Sequence, residues 1–233
     1  MKKLKPWYYE NANLFGVLNE EQIQNIEQIS TINKFKKGQL VCSVGDLCEY
    51  IYILKKGTIK VFLLTSDGKE TILAIRQPGD IIGLTAIFGW PRRVSYVAAL
   101  TNVEVLKVRT KDMRNIILNN SKLAESIIKI LCARLHHSRR LIYDLSTKNV
   151  QDRLVRFILD LADDVGIKND DGILINVELT HEQISQMIAT SRQSVTVILN
   201  DLESKKIIKK GQKKITVYDP NALLRLIGSS DSI

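Results

Sequence analysis

Apolar residues recur at helical spacing in two short segments within residues 179–202. Spacings of i, i+3, i+4 and i+7 place side chains on one face of an α-helix. The apolar positions are Ile184, Met187 and Ile188 in the first segment and Val195, Ile198, Leu199 and Leu202 in the second. The pattern predicts two helices that pack against each other through these faces, as an αα-hairpin.

Polar residues predict where the two helices begin. Thr180 can cap the first helix, and Gln183 three residues later completes a capping box. The chain turns at Ala189 and Thr190, and Thr190 or Ser191 then caps the second helix. These signals predict a tight connection, so the two helices lie close together.

The outward face of the second helix carries side chains that can read DNA bases. They are Arg192, Gln193, Thr196 and Asn200. Arg pairs with guanine, Gln or Asn pairs with adenine, and Thr pairs with either. In a helix-turn-helix, the N-terminal residues of the second helix make such contacts. Many helical hairpins with no role in DNA binding also have one apolar and one polar face, so the hairpin alone leaves both interpretations open.

A basic β-hairpin is predicted directly after the second helix. A turn at Gly211 is followed by alternating residues at 215–218, and lysines surround it: Lys205, Lys206, Lys209, Lys210, Lys213 and Lys214. This order is typical of a winged helix, whose lysines neutralise phosphates without reading sequence. The predicted DNA-binding set is completed by Ser191 and Thr180 at the helix starts and by Lys213 and Lys214 in the wing.

Residues 34–110 have the pattern of an antiparallel β domain. Glycines separate short apolar runs at 40–42, 50–54, 59–64, 71–75 and 103–108. This rhythm is typical of a small sandwich or barrel, and Asp67-Gly68 predicts a hairpin turn between two strands. A short amphipathic helix at 15–30 precedes the domain.

A long helix is predicted from about 112 to 145, a stretch without proline or glycine. Its seam has alternating spacings of four and three residues, which is typical of a coiled coil. The seam consists of Ile127, Leu131, Arg134, Ser138, Leu141 and Leu145. We expect a second copy of the chain to cover this seam in a parallel dimer.

A second amphipathic helix, at 149–165, leads through a turn and a strand into the hairpin. Its inward residues are Leu154, Phe157, Ile158 and Leu161. The predicted fold class is therefore α+β. We expect an effector-sensing β-barrel (jelly roll) domain with its N-terminal helix at 1–111, a dimerisation helix at 112–147, and a winged helix-turn-helix domain at 148–233.

The net charge of the chain indicates which kinds of partner it binds. The 233 residues carry a net charge of +9 and a pI near 9.4, which favours nucleic acid first and a membrane surface second. No stretch approaches the roughly 18 apolar residues of a membrane span, and the N-terminus lacks the apolar region of a signal peptide. We therefore expect a cytoplasmic protein with no membrane partner.

Cysteine usage indicates a reducing compartment, and the lack of catalytic motifs argues against an enzyme. Cys42, Cys48 and Cys132 are odd in number and form no CxxC motif, which fits free thiols in a reducing compartment. The sequence contains no nucleophile–base pair, P-loop or metal-ligand spacing. We predict that the chain is not an enzyme and holds no metal.

The whole layout resembles the CRP/FNR family of bacterial transcription regulators. The likeness rests on residues 35–39, 44–46, 50–61, 67–70 and 78–83 in the β domain, and on 179–188 and 191–196 in the hairpin. It implies a homodimer that binds a palindromic site in double-stranded DNA, acts with RNA polymerase, and responds allosterically to an effector. Departures in the hairpin are Ala189 for the family's turn Gly, Gln193 for Glu and Val197 for Arg.

The resemblance also bears on the effector. Family members that bind cyclic AMP have a Glu after the Gly at position 83 and an Arg-Ser or Arg-Thr pair about ten residues later. Here Leu84 and Val94 occupy the Glu and Arg positions, although Ser95 remains. A buried phosphate without its Arg is poorly compensated, so we predict against cyclic AMP. The β domain has no His and the N-terminus no cysteine group, so we expect neither haem nor an iron–sulfur cluster.

The C-terminal half is similar to the cyanobacterial global nitrogen regulators, a branch of the family that senses 2-oxoglutarate. The likeness rests on residues 152–158, 171–175 and 213–217. In that branch a β-domain Arg and a long-helix Arg hold the effector's carboxylates, and alignment places Arg93 and Arg134 there. The resemblance implies a small anionic effector, 2-oxoglutarate or a similar acid, beside Arg93, Arg134, Gly83, Leu84 and Ser95.

Other interpretations of these positions stay open. The branch has a Glu where this chain has Arg139, and the loop near Arg93 is shorter here. An Arg134 in an apolar seam is costly unless paired, but an acid such as Glu104, or solvent, could replace the effector. Arg92 and Arg93 could be solvated in a surface loop. A cyclic-nucleotide-responsive or effector-independent regulator, and a regulatory module that binds protein instead of DNA, are the alternatives.

Overall fold

The computed structural model describes residues 20–211 and 214–227, and it divides into two compact units between His136 and His137. The division falls within a long helix, α4 (Ser121–Thr147). We call the described residues before this division the N-terminal body and those after it the C-terminal body.

The N-terminal body consists of short helices around a β domain, followed by the first part of α4. The helices are α1 (Glu20–Gln28), α2 (Leu84–Phe88) and α3 (Thr110–Leu118). The strands are β1 (Thr31–Phe35), β2 (Leu40–Cys42), β3 (Tyr50–Lys56), β4 (Ile59–Leu64), β5 (Glu70–Arg76), β6 (Ile81–Ile82), β7 (Tyr96–Ala99) and β8 (Val103–Arg109).

These strands form two antiparallel sheets, in the orders β1-β8-β3-β6 and β2-β7-β4-β5. Both sheets contribute to one core, where Leu54 of β3 and Val105 of β8 are buried. Ile53 and Leu106, the next residues on the same strands, belong to a second core with the helices. Successive strand residues point to opposite faces, which explains why β3 and β8 are apolar on both sides. The β domain is therefore a sandwich of two sheets, one of the two forms that we predicted, and not a closed barrel.

The C-terminal body contains a helical hairpin and a small sheet. Its helices after α4 are α5 (Val150–Val165), α6 (His181–Met187), α7 (Arg192–Ser204) and α8 (Pro220–Leu226). Its strands are β9 (Gly166–Asn169), β10 (Gly172–Ile175), β11 (Ile208–Lys210) and β12 (Ile215–Val217), in the antiparallel order β11-β12-β10-β9. The four inward residues predicted for α5 are buried. The α+β prediction is confirmed.

The single helix predicted from 112 to 145 is two helices. α3 ends at Leu118, and α4 begins at Ser121. The side-chain oxygen of Asn120 accepts a hydrogen bond from the backbone N–H of Leu123 at 3.1 Å, which satisfies a donor that the start of a helix leaves open. The lack of proline and glycine in this stretch did not reveal the break, because asparagine alone can cap a new helix.

The apolar seam predicted on α4 has a different register in the structure. Ile127 is buried in the core of the N-terminal body, Arg134 forms an ion pair there, and Leu141 is half-buried. The exposed apolar residues of α4 that keep the 3–4 spacing are Ile128, Leu131, Leu135, Ile142 and Leu145, with Ser138 between them. The predicted seam and this exposed set have three residues in common, Leu131, Ser138 and Leu145. They differ in the other positions because Ile127 is buried in the core, which turns its neighbour Ile128 toward solvent. We call the exposed set the α4 stripe.

Candidate nucleic-acid interface and effector site

The helical hairpin forms as its polar residues predict. The Thr180 side chain accepts the backbone N–H of Gln183, whose own side chain accepts the backbone N–H of Thr180, so the capping box is complete. Ala189 has φ of 52°, a left-handed conformation that costs free energy for a residue with a side chain. Of the two candidate caps for α7, Ser191 is the one used, since its hydroxyl accepts the N–H of Ser194.

The apolar faces of α6 and α7 are inside, so the beginning of α7 faces outward. The buried residues are Ile184, Met187 and Ile188 near α6 and Val195, Leu199 and Leu202 on α7. Ile198, which we predicted as buried, is half-buried. Arg192 and Gln193 are exposed in the first turn of α7. The structure therefore leaves these two side chains open to solvent at the beginning of α7.

Two other predicted base readers are engaged within the protein. The Thr196 hydroxyl lies 2.8 Å from Nδ1 of His181 and donates to the Arg192 carbonyl at 2.9 Å. The side-chain oxygen of Asn200 accepts a hydrogen bond from Lys210. Both contacts join α7 to a neighbouring element, which the helical pattern could not reveal because the partners come from α6 and the wing.

The wing, which consists of β11 and β12, contacts α7 of the hairpin through an ion pair and a hydrogen bond. Glu203 of α7 accepts the backbone N–H of Lys210 at 2.8 Å and pairs with its ammonium group at 2.9 Å. These contacts hold the pKa of Glu203 below its ordinary value. Lys214 donates to Asn176 at 3.2 Å, and Lys213, also predicted to bind DNA, lies outside the described residues. The wing therefore presents lysines beside α7 in a fixed arrangement.

Arg153 of α5 contacts the turn of the hairpin, and the sequence argument missed it. Its guanidinium donates to the carbonyls of Ile188 and Ala189 at 3.0 and 3.1 Å and to the carbonyl of Lys148 at 2.9 Å. Lys148 directly follows α4, so one side chain ties the end of α4 to the turn before α7. The sequence shows only that Arg153 directly precedes the apolar face of α5, and this pattern does not indicate which carbonyl groups the side chain binds.

Val197 is a second residue that the base-reading argument left out. Its side chain is 66% exposed, four residues after Gln193 on α7. Residues four apart lie on one helix face, so Val197 extends the surface that Arg192 and Gln193 begin. An apolar side chain at such a position can contact the methyl group of thymine.

In the N-terminal body, Arg93 is buried and not solvated in a surface loop. Its side chain is 8% exposed, Nη2 donates to the Tyr50 carbonyl at 2.5 Å, and the guanidinium lies 5.5 Å from the ring centre of Tyr52. No carboxylate of the described residues forms an ion pair with it. Its neighbour Arg92 is exposed and donates to the Gly45 carbonyl. Arg93 is thus a buried cation held mainly by backbone and ring contacts.

Gly83 lies directly against Arg93, whereas Leu84 lies in the core. Gly83 has φ of 95°, and a Cβ on it would overlap Nη1 of Arg93. Leu84 packs with the apolar cluster that joins the sandwich to the helices. Ser95 is half-buried and Val94 is exposed. Of the three other residues predicted beside the effector, Gly83 therefore lies against Arg93, and Leu84 lies in the core.

Arg134 has an acidic partner inside the same body. Its Nη2 lies 3.8 Å from Oδ1 of Asp80, a residue that is 1% exposed. The other carboxylate oxygen of Asp80 accepts the backbone N–H of Gln77 at 2.8 Å. Glu104, the acid that we suggested for this pairing, instead pairs with Lys34. The ion pair joins α4 to the turn before β6.

The cysteines are free thiols, as predicted. Cys42 and Cys48 are buried and Cys132 is exposed. Burial raises the pKa of Cys42 to about 11, despite the nearby positive charge of Arg93. Among the described residues, no group of three or more His, Cys, Asp or Glu side chains is placed to hold a metal ion. No helix within 20–211 and 214–227 is long and apolar enough to cross a membrane.

Known proteins match both bodies. Residues 32–120 match the cyclic nucleotide-binding domain, and residues 152–226 match the Crp-like helix-turn-helix domain. The global nitrogen regulator of Synechococcus elongatus is 31% identical over 194 residues, which cover 82% of this chain and 87% of that protein. The chain belongs to the CRP/FNR family. The family recognition made from the sequence is confirmed.

Further relatives agree with membership of the CRP/FNR family. The anaerobic regulatory protein of Bacillus subtilis is 30% identical, over 82% of this chain and 81% of that protein. A solved CooA mutant from Carboxydothermus hydrogenoformans has a TM-score of 0.85 at 24% identity, covering 96% of this chain and all of that one, and it shows a shared fold. The chain is a DNA-binding regulator of transcription with an effector-type domain, and not an enzyme.

Proposed function

We propose that this CRP/FNR regulator acts as a homodimer that binds a palindromic sequence in double-stranded DNA and acts on RNA polymerase. We further propose that a small anion, 2-oxoglutarate or a similar dicarboxylate, controls its DNA affinity from the N-terminal body. The observation that carries the DNA-binding part is the outward placement of Arg192 and Gln193 at the start of α7, beside a lysine-rich wing.

The DNA-binding surface combines two kinds of contact. Arg192 offers a bidentate pair for guanine, and Gln193 offers one for adenine. We assign Lys210 and Lys214 of the wing to phosphate contacts, which supply affinity but no sequence information. Ser191 and Thr180 lie at the helix starts, and Thr196 and Asn200 support the surface through His181 and Lys210. Gln193 and Val197 give this chain a site preference of its own within the family.

The α4 stripe supports the homodimer. Its five exposed apolar residues keep the 3–4 spacing through which parallel helices pack. In water such a row of apolar side chains is best covered by another helix with the same pattern, and a second copy of the chain supplies one. Two copies of α7 would then be related by a two-fold axis, which is the symmetry of a palindromic DNA site.

Arg93 supports an anionic effector. Desolvating a guanidinium without a carboxylate partner costs several kcal/mol, and an effector carboxylate beside Gly83 would compensate it. The Arg134–Asp80 pair, at 3.8 Å, is longer than a hydrogen bond. A second effector carboxylate that replaces Asp80 would change how α4 is held to the β domain, which is a route from effector to DNA affinity.

The same ion pair favours one alternative, a regulator that needs no effector. Asp80 already compensates the charge of Arg134, and the Tyr50 carbonyl already accepts a hydrogen bond from Arg93. Cyclic AMP is less suited to the site, because Leu84 lies in the core and Val94 supplies no charge for a phosphate. A ligand screen therefore separates the proposal from its alternative.

Replacing Arg192 with Ala should remove sequence preference. A bidentate Arg–guanine pair discriminates by about 1–3 kcal/mol, so the ratio of specific to non-specific affinity should fall by about 5- to 150-fold for each Arg192 of the dimer. Fluorescence anisotropy with the chain's own promoter region and with an unrelated duplex measures this ratio. Arg225→Ala, on exposed α8, is the matched control. An unchanged ratio in R192A would refute the reading of Arg192.

Replacing Leu135 with Glu should separate the dimer. A charge in the centre of the α4 stripe would be buried without a partner, which is strongly unfavourable. Sedimentation equilibrium should give twice the 26.4 kDa chain mass for the unmodified protein and a single chain for L135E. Lys129→Glu is the control, since Lys129 is exposed on α4 outside the stripe. A dimer that persists in L135E would contradict this interface.

A dicarboxylate should stabilise the chain, and Arg93 should be needed for this. At about 100 times Kd a ligand adds about 2.7 kcal/mol, and each kcal/mol raises Tm by about 2–4 °C for a chain of this size. Thermal denaturation with 2-oxoglutarate should show the shift in the unmodified chain and in Arg92→Gln, but not in Arg93→Gln or Arg134→Ala. If no small acid raises Tm, the proposal of an anionic effector fails.

A further inference from the structure

A basic cleft of about 470 Å³ lies between α6, the start of α7 and the wing. Its charged lining comes from each of these elements: His181 and Glu182 from α6, Arg192 from α7, and Lys210 and Lys214 beside the turn of the wing. Three permanent cations and one carboxylate therefore face this space. The cleft is adjacent to the base-reading residues, so a DNA backbone that passes the wing would enter it.

The contacts of Thr196 with His181 and the Arg192 carbonyl favour one tautomer of the His181 ring. The Thr196 hydroxyl has one proton, and it donates that proton to the Arg192 carbonyl at 2.9 Å. When it does so, Nδ1 of His181, 2.8 Å from the same oxygen, is the donor in their contact. In the neutral ring Nε2 is then the nitrogen without a proton. It can donate to an anion only after the ring has gained one.

The surroundings of His181 in the free protein disfavour the charged ring. Burial lowers the pKa of His181, and the positive charges of Lys210 and Arg192 lower it further. A phosphate in the cleft reverses these charge effects, because it adds a negative charge beside the ring and screens the two cations. The bound state therefore favours the charged imidazolium that the free state disfavours.

We propose that His181 gains a proton when duplex DNA binds, and that Nε2 then donates a hydrogen bond to a backbone phosphate in the cleft. The proposal rests on the proposed DNA-binding function and deepens it by assigning a phosphate subsite. Each protomer would take up as much as one proton. The proton enters from solvent, and no other group needs to change its ionisation.

The sign of the pH dependence follows from the two states. The DNA-bound form has the higher pKa, so it binds more protons than the free form between the two pKa values. DNA affinity should therefore rise as pH falls through the bound-state pKa and level off below the free-state pKa, which lies under the ordinary value of 6.5. The steepest change is about tenfold per pH unit for each protomer.

The experiment measures duplex affinity by fluorescence anisotropy from about pH 5.5 to 8.5 at constant ionic strength, where unperturbed His titrates. The unmodified chain should show the slope, and His181→Gln, which cannot titrate, should be flat. The double variant His136→Gln with His137→Gln removes the other two histidines and should keep the slope. A slope retained in H181Q, or a flat profile in the unmodified chain, would overturn the proposal.

Proton NMR of the unmodified chain avoids dependence on any variant. The Cε1–H signal of His181 should titrate below the ordinary pKa in the free protein and above it in the DNA complex. Equal pKa values in the two states would contradict proton uptake. Binding to DNA without a shift overturns this inference alone, whereas absence of DNA binding at every pH overturns the proposed function as well.

Discussion

The packing of α6 against α7 is the contact on which the rest of the DNA-binding surface depends. Ile184, Met187, Val195 and Leu199 are buried together, and this burial turns the first residues of α7 outward. A left-handed residue is accepted in the turn between them, because Arg153 binds the carbonyls on that turn. Apolar packing therefore determines which face of α7 points outward, and the hydrogen bonds of Arg153 hold the turn that precedes α7.

The two bodies use charge in different ways. In the C-terminal body the cations line an open cleft, where solvent screens them and an anionic polymer can reach them. In the N-terminal body Arg93 and Asp80 are buried, so their charges are expensive unless each has a partner. A ligand that supplies a charged partner to these buried groups, or replaces one, can therefore change the stability of the N-terminal body strongly. The cations of the cleft instead give an affinity for DNA that salt weakens. This contrast is the physical basis for proposing an effector site in one body and a DNA site in the other.

Periodicity predicted most of the architecture, because α5, α7, β4 and the wing bury one face or a short apolar run. It missed β1, β6, β7, α2, β9 and α8, because each has seven residues or fewer and is too short to show a period, and it joined α3 to α4 across the Asn120 cap. Of the site, Arg192 and Gln193 could be predicted from local spacing. The contacts of Thr196 with His181 and of Arg134 with Asp80 could not, because they join residues distant in sequence.

The central claim is that two copies of α7, each set by its hairpin, read a symmetric DNA sequence. Selection from a random duplex library by the full chain at moderate salt tests this most directly. The account predicts enrichment of an inverted repeat whose half-sites are centred about 10 base pairs apart, one helical turn. Retention of duplex with no enriched sequence, or enrichment of an unrepeated site, would contradict it, since charge alone would then explain the binding.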